Sequence, residues 1–329
     1  MSQHRYVKYV LLTFLIFFLL WTFPFAPWAK TTVFTIGTGE YMGRYYPTGG
    51  AIAEIINKKQ KEYGFRCTAK PTLGSVFNIN KIMNGDIEFG IVQSDRQYQA
   101  FNGLAEWKDK GSQKELRAMF SLYTESVILV ASVDSGAKTI KNLKGKRVDI
   151  GKIGSGGRQN AIDALNAAGI DWKADIKVIE VGKNYDAQSM LMRGDLDAFF
   201  HTVGHPSTVI KFATAGAKRA LFIPIVGIES LLSKHPYYVK SFIPITLYPG
   251  AVNEENVKTF GIKATFVCSA KIPDNVVYAI TKEVFENLGS LKSFHPTLKM
   301  LTKESMVKDG LTAPIHPGAL RYYKEAGLK

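Results

Sequence analysis

The chain of 329 residues has only two cysteines, Cys67 and Cys268. Two are too few for the disulfide framework that stabilises a small secreted domain. Both lie in apolar runs, FRCTA and ATFVCSA, and are expected as free, buried thiols. Long apolar stretches are equally scarce. Only Val10–Phe25, VLLTFLIFFLLWTFPF, could enter a bilayer, and a mean hydropathy of −0.03 excludes a polytopic membrane protein. Acidic residues are in deficit, 28 against 42 Lys and Arg, which leaves a net charge of +14. The basic residues are spread along the chain rather than clustered. The surplus therefore reads as a basic soluble surface and not as a nucleic-acid footprint.

Catalytic signatures are missing too. No H-E-x-x-H occurs, and Ser155 lacks the G-x-S-x-G spacing of a nucleophile elbow. His201 and His205 are four apart, but Gly204 and Pro206 break the helical spacing that a shared metal would need. Asp195 and Asp197 would point to opposite faces of a strand, which makes them a poor carboxylate pair. No catalytic residue, metal or cofactor is expected.

What is present is a chain that can bury two cores. Hydrophobic residues make up 46% and charged residues 21%, which excludes wholesale disorder. At about 150 residues per domain the length suggests two domains. The basic stretch with His4, Arg5 and Lys8 ahead of the apolar run has the pattern of a secretory signal over residues 1–29. Cleavage before Lys30 would put Ala29 at −1 and Pro27 at −3, and an uncleaved N-terminal anchor helix is the alternative. No cysteine follows the run, so a lipid anchor is not expected. Either way the body of the protein is expected to be exported, to the periplasm or an equivalent extracytoplasmic space, which further argues against nucleic acid as a partner.

The pattern from VFTIGTG onward is β-α-β-α-β. A strand is followed by a helical pattern over Gly49–Tyr63, with Ala51, Ile52, Ile55 and Ile56 on one face. FRCTAKPT is the second strand, Ser75–Met83 a helix stopped at Gly85, and EFGIVQS the third strand. After the long apolar stretch LRAMFSLYTESVILVASV the alternation restarts with KRVDIG, a helix over Arg158–Ala168, KVIEVG, a helix over Tyr185–Arg193, and DAFFHT. Strands RALFIPI and FIPITL, the long strand TFGIKATFVCSA, and helices over Asp274–Leu288 and Pro317–Ala326 complete the chain. Such alternation argues parallel sheets covered by helices. The simplest topology is α/β, with two Rossmann-like lobes joined by two crossover strands near 121–130 and 248–264. Residues 30–125 with 255–329 form lobe I and residues 126–254 lobe II. Two crossings make a hinge, and a cleft between lobes is where small ligands bind.

Four turns are placed to line that cleft. The first runs Gly37-Thr38-Gly39-Glu40-Tyr41-Met42-Gly43-Arg44-Tyr45-Tyr46-Pro47-Thr48-Gly49-Gly50, between a strand and a helix, where glycines let backbone N–H groups approach an anion. Its third glycine falls one place late for G-x-G-x-x-G. The second, Leu73-Gly74-Ser75-Val76-Phe77-Asn78, opens a helix that Ser75 could cap. The third, Gln93-Ser94-Asp95, ends a strand at the crevice side, where Ser94 or Asp95 could instead serve as a cap. The fourth, Gly151-Lys152-Ile153-Gly154-Ser155-Gly156-Gly157-Arg158, mirrors the first in the other lobe. Arg158 there could clamp a carboxylate or face solvent.

In this order and spacing the sequence resembles the TAXI family of TRAP-transporter solute-binding proteins. The matching stretches are IGTG…G-x-YYP-x-GGAIAEIIN, LGSVFNINKIMNGDIEFGIVQSD, LYTE, IKNLKGKRVDIGKIGSGG, GDLDAFF and IHPGALRYYKEAG. The resemblance implies a type II periplasmic-binding fold. It implies capture of a glutamate-like amino acid or other small carboxylate, and delivery to TRAP-type membrane transporter subunits by a monomer. It implies ligand contact by Gly39, Tyr45, Ser75, Asn78, Gln93, Ser94, Asp95, Ser155, Gly156 and Gly157, with Glu125 at the first crossing. Glu40, Met42 and Arg44 stand where the family usually has Gly or Thr. Gly157-Arg158 replaces a Thr-acidic pair, and Thr124 replaces a Pro. These substitutions add bulk and charge beside the cleft. A ligand-binding module of a sensor system, or an enzyme on the same scaffold, are the alternatives.

Overall fold

The structure is a computed structural model that describes residues 31–180, 187–216 and 219–329. The expected signal or anchor segment and the first part of the helix expected from Tyr185 lie outside the described residues. Among the described residues no helix is long and apolar enough to cross a membrane.

The first run is β1 (Thr32–Gly37), α1 (Tyr45–Asn57), α2 (Gln60–Tyr63), β2 (Phe65–Lys70), α3 (Ser75–Met83), β3 (Phe89–Gln93) and α4 (Ser94–Asn102). Helix α1 starts four residues before the expected Gly49. The Tyr45 ring is buried, and Pro47 falls in the first turn, where a missing N–H costs nothing. Its apolar face of Ala51, Ile52, Ile55 and Ile56 is buried as expected. Helix α3 has the expected bounds, and Gly85 follows it in the left-handed region at φ +78°.

The long strand β4 (Leu116–Ser132) leads into β5 (Arg147–Asp149), α5 (Gly156–Ala167), β6 (Lys177–Val178), α6 (Ala187–Arg193), β7 (Ala198–Val203), α7 (Thr208–Ala215), β8 (Ala220–Phe222), α8 (Glu229–Lys234) and β9 (Val239–Ile243). Helix α5 begins two residues before the expected Arg158, because the Ser155 hydroxyl caps it by accepting the Arg158 N–H at 3.3 Å. Strand β7 starts after the Asp195–Asp197 pair. Asp197 instead holds Arg147 at 2.8 Å, so the two aspartates are not strand neighbours on opposite faces. The chain returns on β10 (Val257–Ser269) and ends in α9 (Asp274–Glu286), α10 (Leu288–Ser293), α11 (Lys303–Lys308) and α12 (Pro317–Glu325). The second long strand thus begins at Val257, not near 248. Asn253 and Asn256 tie the preceding segment down as a loop by bonding the backbone of Phe222 and Ile245.

Among the described residues the strands form one mixed sheet of ten, in the order β2-β1-β3-β10-β4-β7-β5-β6, with β8 on β4 and β9 on β10. β1 and β3 are parallel, as are β5 with β6 and β7, while β10 runs antiparallel to both β3 and β4. Buried apolar side chains divide cleanly. Two clusters draw on residues up to Tyr123 and from Ala264 onward. Two others draw on residues from Val127 to Ile262. The division falls where the β4–β10 ladder slips register between Lys263 and Thr265. Cys67 and Cys268 are buried and free.

Candidate functional site

A cavity of about 770 Å³ lies where the strands of both lobes end. Two helix N-termini meet at its edge. Helix α3 starts after Gly74, whose φ of +106° is one that only glycine adopts easily. Helix α5 starts after the Gly151–Ser155 turn. A Cβ on Gly74 would stand 3.7 Å from Ser155 Cα, and the Phe77 N–H donates to the Gly154 carbonyl at 3.3 Å. Neither first turn contains an acidic residue. Phe77 N–H and Arg158 N–H are taken by Gly154 and Ser155; the other first-turn N–H groups lack intrahelical partners and sit at the positive ends of two dipoles, which suits an anion.

Gln93, only 4% exposed, lies between the two termini. A Cβ on Gly156 would stand 1.9 Å from Gln93 Oε1 and 3.0 Å from Ser75 Oγ. Gln93 Oε1, Thr202 Oγ1 and His201 Nε2 are buried without a partner among the described residues, and all three side chains line the cavity. Desolvation holds the His201 imidazole down to about 4, and so neutral, although part of its surface stays open.

The floor is Glu125, in the middle of β4. The Tyr45 hydroxyl donates to its Oε2 at 2.7 Å, and Glu125 makes no ion pair among the described residues. Burial pushes this carboxyl up to about 8, with the Asp95 carboxylate adding to the rise. Asp149 also lines the cavity and is pushed up to about 6 by burial, although the Gly151 N–H donates to it at 2.9 Å. The mouth is bridged twice. Glu40 pairs with Lys152 of the opposite lobe, and Arg44 donates to Thr208 Oγ1 at 3.1 Å while also bonding His295.

Of the residues expected to contact ligand, Gly39, Tyr45, Ser75, Gln93, Glu125, Ser155, Gly156 and Gly157 are brought together on this cavity. Four lie elsewhere. Arg158 does not face the cavity. Its guanidinium bonds the Gly151 carbonyl at 2.8 Å and Glu180 at 2.9 Å and sits over Trp172, so it orders the glycine turn from outside. The Ser94 hydroxyl accepts the Lys263 N–H, and Asp95 is buried against Arg96 and accepts from Asn160 at 2.6 Å. Asn78 is wholly buried and donates to the Thr38 and Ile91 carbonyls at 2.7 and 2.9 Å. Nor does Ser75 cap its helix; its hydroxyl accepts the Gln93 N–H at 3.1 Å, and Gly74 holds the cap position. Neither Ser94 nor Asp95 caps α4, whose cap position is Gln93. Asn78→Ala is therefore expected to cost about 1–3 kcal/mol by removing the amide's bonds to the Ile91 carbonyl and to the Thr38 carbonyl, which keeps only the Thr72 hydroxyl. A urea midpoint unchanged from wild type would show that Asn78 has no such structural part.

Sequence reasoning missed His201 and Thr202 as cavity residues. The available signal was that polar residues closing an apolar strand, as His-Thr closes DAFFHT, sit at the carboxyl edge where crevices form.

This strand order, with a long antiparallel β10 between β3 and β4 and a cavity between the lobes, is the type II periplasmic-binding-protein fold. The chain belongs to the NMT1-like family, which it matches over residues 36–327. Among solved structures, a protein from Bordetella bronchiseptica RB50 is 13% identical, with 91% of this chain and 99% of that one covered and a TM-score of 0.55. A Xanthomonas citri protein solved bound to ATP is 9% identical, with 90% and 97% covered and a TM-score of 0.50. A putative L-cystine ABC transporter protein from Listeria monocytogenes is 15% identical, with 80% and 94% covered and a TM-score of 0.47. The first two are likenesses of fold alone.

Proposed function

We propose that the protein is an exported, periplasmic solute-binding protein that closes two lobes on a small carboxylate or amino acid and hands it to a TRAP-type membrane transporter. It acts as a monomer and binds rather than transforms its ligand. The adjoining N-termini of α3 and α5, with no acid in either first turn, carry this reading. Such a pair holds a carboxylate with backbone N–H groups from both lobes, so the closed form has the higher affinity and ligand drives closure. The lobes that move are the two sets of apolar clusters, hinged where β4 and β10 pass between them. The TRAP partner and the preference for glutamate-like acids rest on the motif resemblance.

The test is a thermal-shift panel on the purified full chain with glutamate, glutamine, 2-oxoglutarate, C4-dicarboxylates and monocarboxylates. A ligand at ~100 times its dissociation constant stabilises by about 2.7 kcal/mol. Ser155→Ala should weaken the hit while losing only about 1 kcal/mol of stability as a helix cap. A panel without any shift would overturn the proposal.

A further inference from the structure

Glu125 is the cavity residue whose chemistry the reading above leaves unused. It lies where β4 passes between the lobes, 3% exposed, with its carboxyl on the cavity floor. Oε2 takes the Tyr45 hydroxyl at 2.7 Å, and Oε1 has no donor among the described residues. The groups around it do not neutralise it. Helix α1 contributes Tyr45, β4 itself Tyr123, and α4 the Asp95 carboxylate. The opposite strand presents Ile262, and the neighbouring Lys263 is held by Asp309 at 3.2 Å. The Arg44 guanidinium acts on Tyr123 and bonds Thr208 and His295. A carboxylate in this setting is a buried charge without a counterion.

We propose that Glu125 is a specificity-determining residue that receives a hydrogen-bond-donating group of the ligand, and that it gives up its own proton to solvent when that group is an ammonium. The inference rests on the solute-binding reading and narrows it. The acid group of the ligand is met by the two helix N-termini. The Tyr45 hydroxyl, bonded to Glu125, is also within reach of the Ser75 hydroxyl at one of those termini, so the two poles are neighbours. A second carboxylate placed at Glu125 could be met only while Glu125 keeps its proton and donates it, whereas an ammonium supplies the counterion that the ionised form lacks and a hydroxyl the missing donor. A free carboxyl held up to about 8 is protonated at neutral pH, so pairing with an ammonium displaces that proton.

The experiment is titration calorimetry on the full chain at pH 7 in buffers of different ionisation enthalpy. The probes are matched: L-glutamate, 2-hydroxyglutarate and glutarate, then L-norvaline, 2-hydroxyvalerate and valerate. The amino or hydroxy member should bind ~30-fold or more tightly than the bare acid, and binding of an amino member should release close to one proton. Glu125→Gln should lose ~30-fold or more for the amino member and lose the proton release, with its melting temperature at pH 7 not lowered. Bare acids that bind as tightly, undiminished affinity in the variant, or proton uptake in place of release would each overturn the inference while leaving the carboxylate-binding reading intact. Failure of every probe to bind the wild-type chain would overturn both.

Discussion

Gly156→Ala is expected to leave the protein folded and to weaken ligand capture by roughly 5- to 150-fold, the equivalent of the about 1–3 kcal/mol that overpacking a tight interior costs. Gly156 is the first residue of α5 and has an ordinary helical backbone, so alanine fits the helix. The obstruction comes from the other lobe. A Cβ here would overlap Gln93, at 1.9 Å from Oε1 and 2.5 Å from Cδ, and crowd Ser75 Oγ at 3.0 Å. Gln93 is buried, and the open space beside its amide is the cavity. Either the amide swings into the space the ligand needs or the lobes stay apart. Gly157→Ala is the control, because its Cβ would meet Thr202 Oγ1 at an ordinary 3.5 Å. Calorimetric affinities and small-angle scattering of both variants check this. Equal affinity in Gly156→Ala and wild type would show that the two termini do not close as tightly on ligand as they stand here.

The second large effect is on stability against pH. Glu125 titrates at about 8 in the folded chain and near ~4.3 when unfolded. Between these values the unfolded chain binds fewer protons, so this group makes stability fall as pH rises from ~4.5 to about 8. The loss is on the order of 4 kcal/mol over that window. Asp149, pushed up to about 6, acts in the same direction over a lower and narrower range. The buried histidines act oppositely. His201 and His205, held down to about 4 by desolvation, stabilise above the unfolded value of ~6.5 and lose that contribution as pH falls toward 4. Stability should therefore peak between these limbs, and Glu125→Gln should flatten the alkaline one. Urea midpoints at pH 5, 6, 7 and 8.5 decide the matter. Parallel curves for wild type and Glu125→Gln would mean that the carboxyl is not held neutral.

How much of this could be read in advance depended on how local the cause was. Helix α3 was legible to the residue because Gly74 and Gly85 bracket an apolar stripe. Eight cavity residues were legible because glycine turns and strand ends fall at one edge of an α/β sheet whatever its details. Arg158 was not, because its charge is visible in sequence but its partners, Glu180 and Trp172, become neighbours only through folding. Asn78 follows a glycine turn like a ligand residue, yet its amide is spent on the carbonyls of Thr38, just past β1, and of Ile91 in β3. The bridges over the mouth were the least legible. Glu40 meets Lys152 across 112 positions, and Arg44 meets Thr208 across 164.

The pairing of β4 with β10 bears on what the open form can be. The two strands run antiparallel and are hydrogen-bonded on both sides of the register slip near Lys263. Neither can bend or twist without the other. The lobe rotation proposed for ligand capture would therefore be restricted by the ladder, rather than free in the many directions that two flexible linkers would permit. An open ensemble would be correspondingly narrow. Little orientational entropy is given up when the lobes meet, so more of each contact made to the ligand is expressed as affinity.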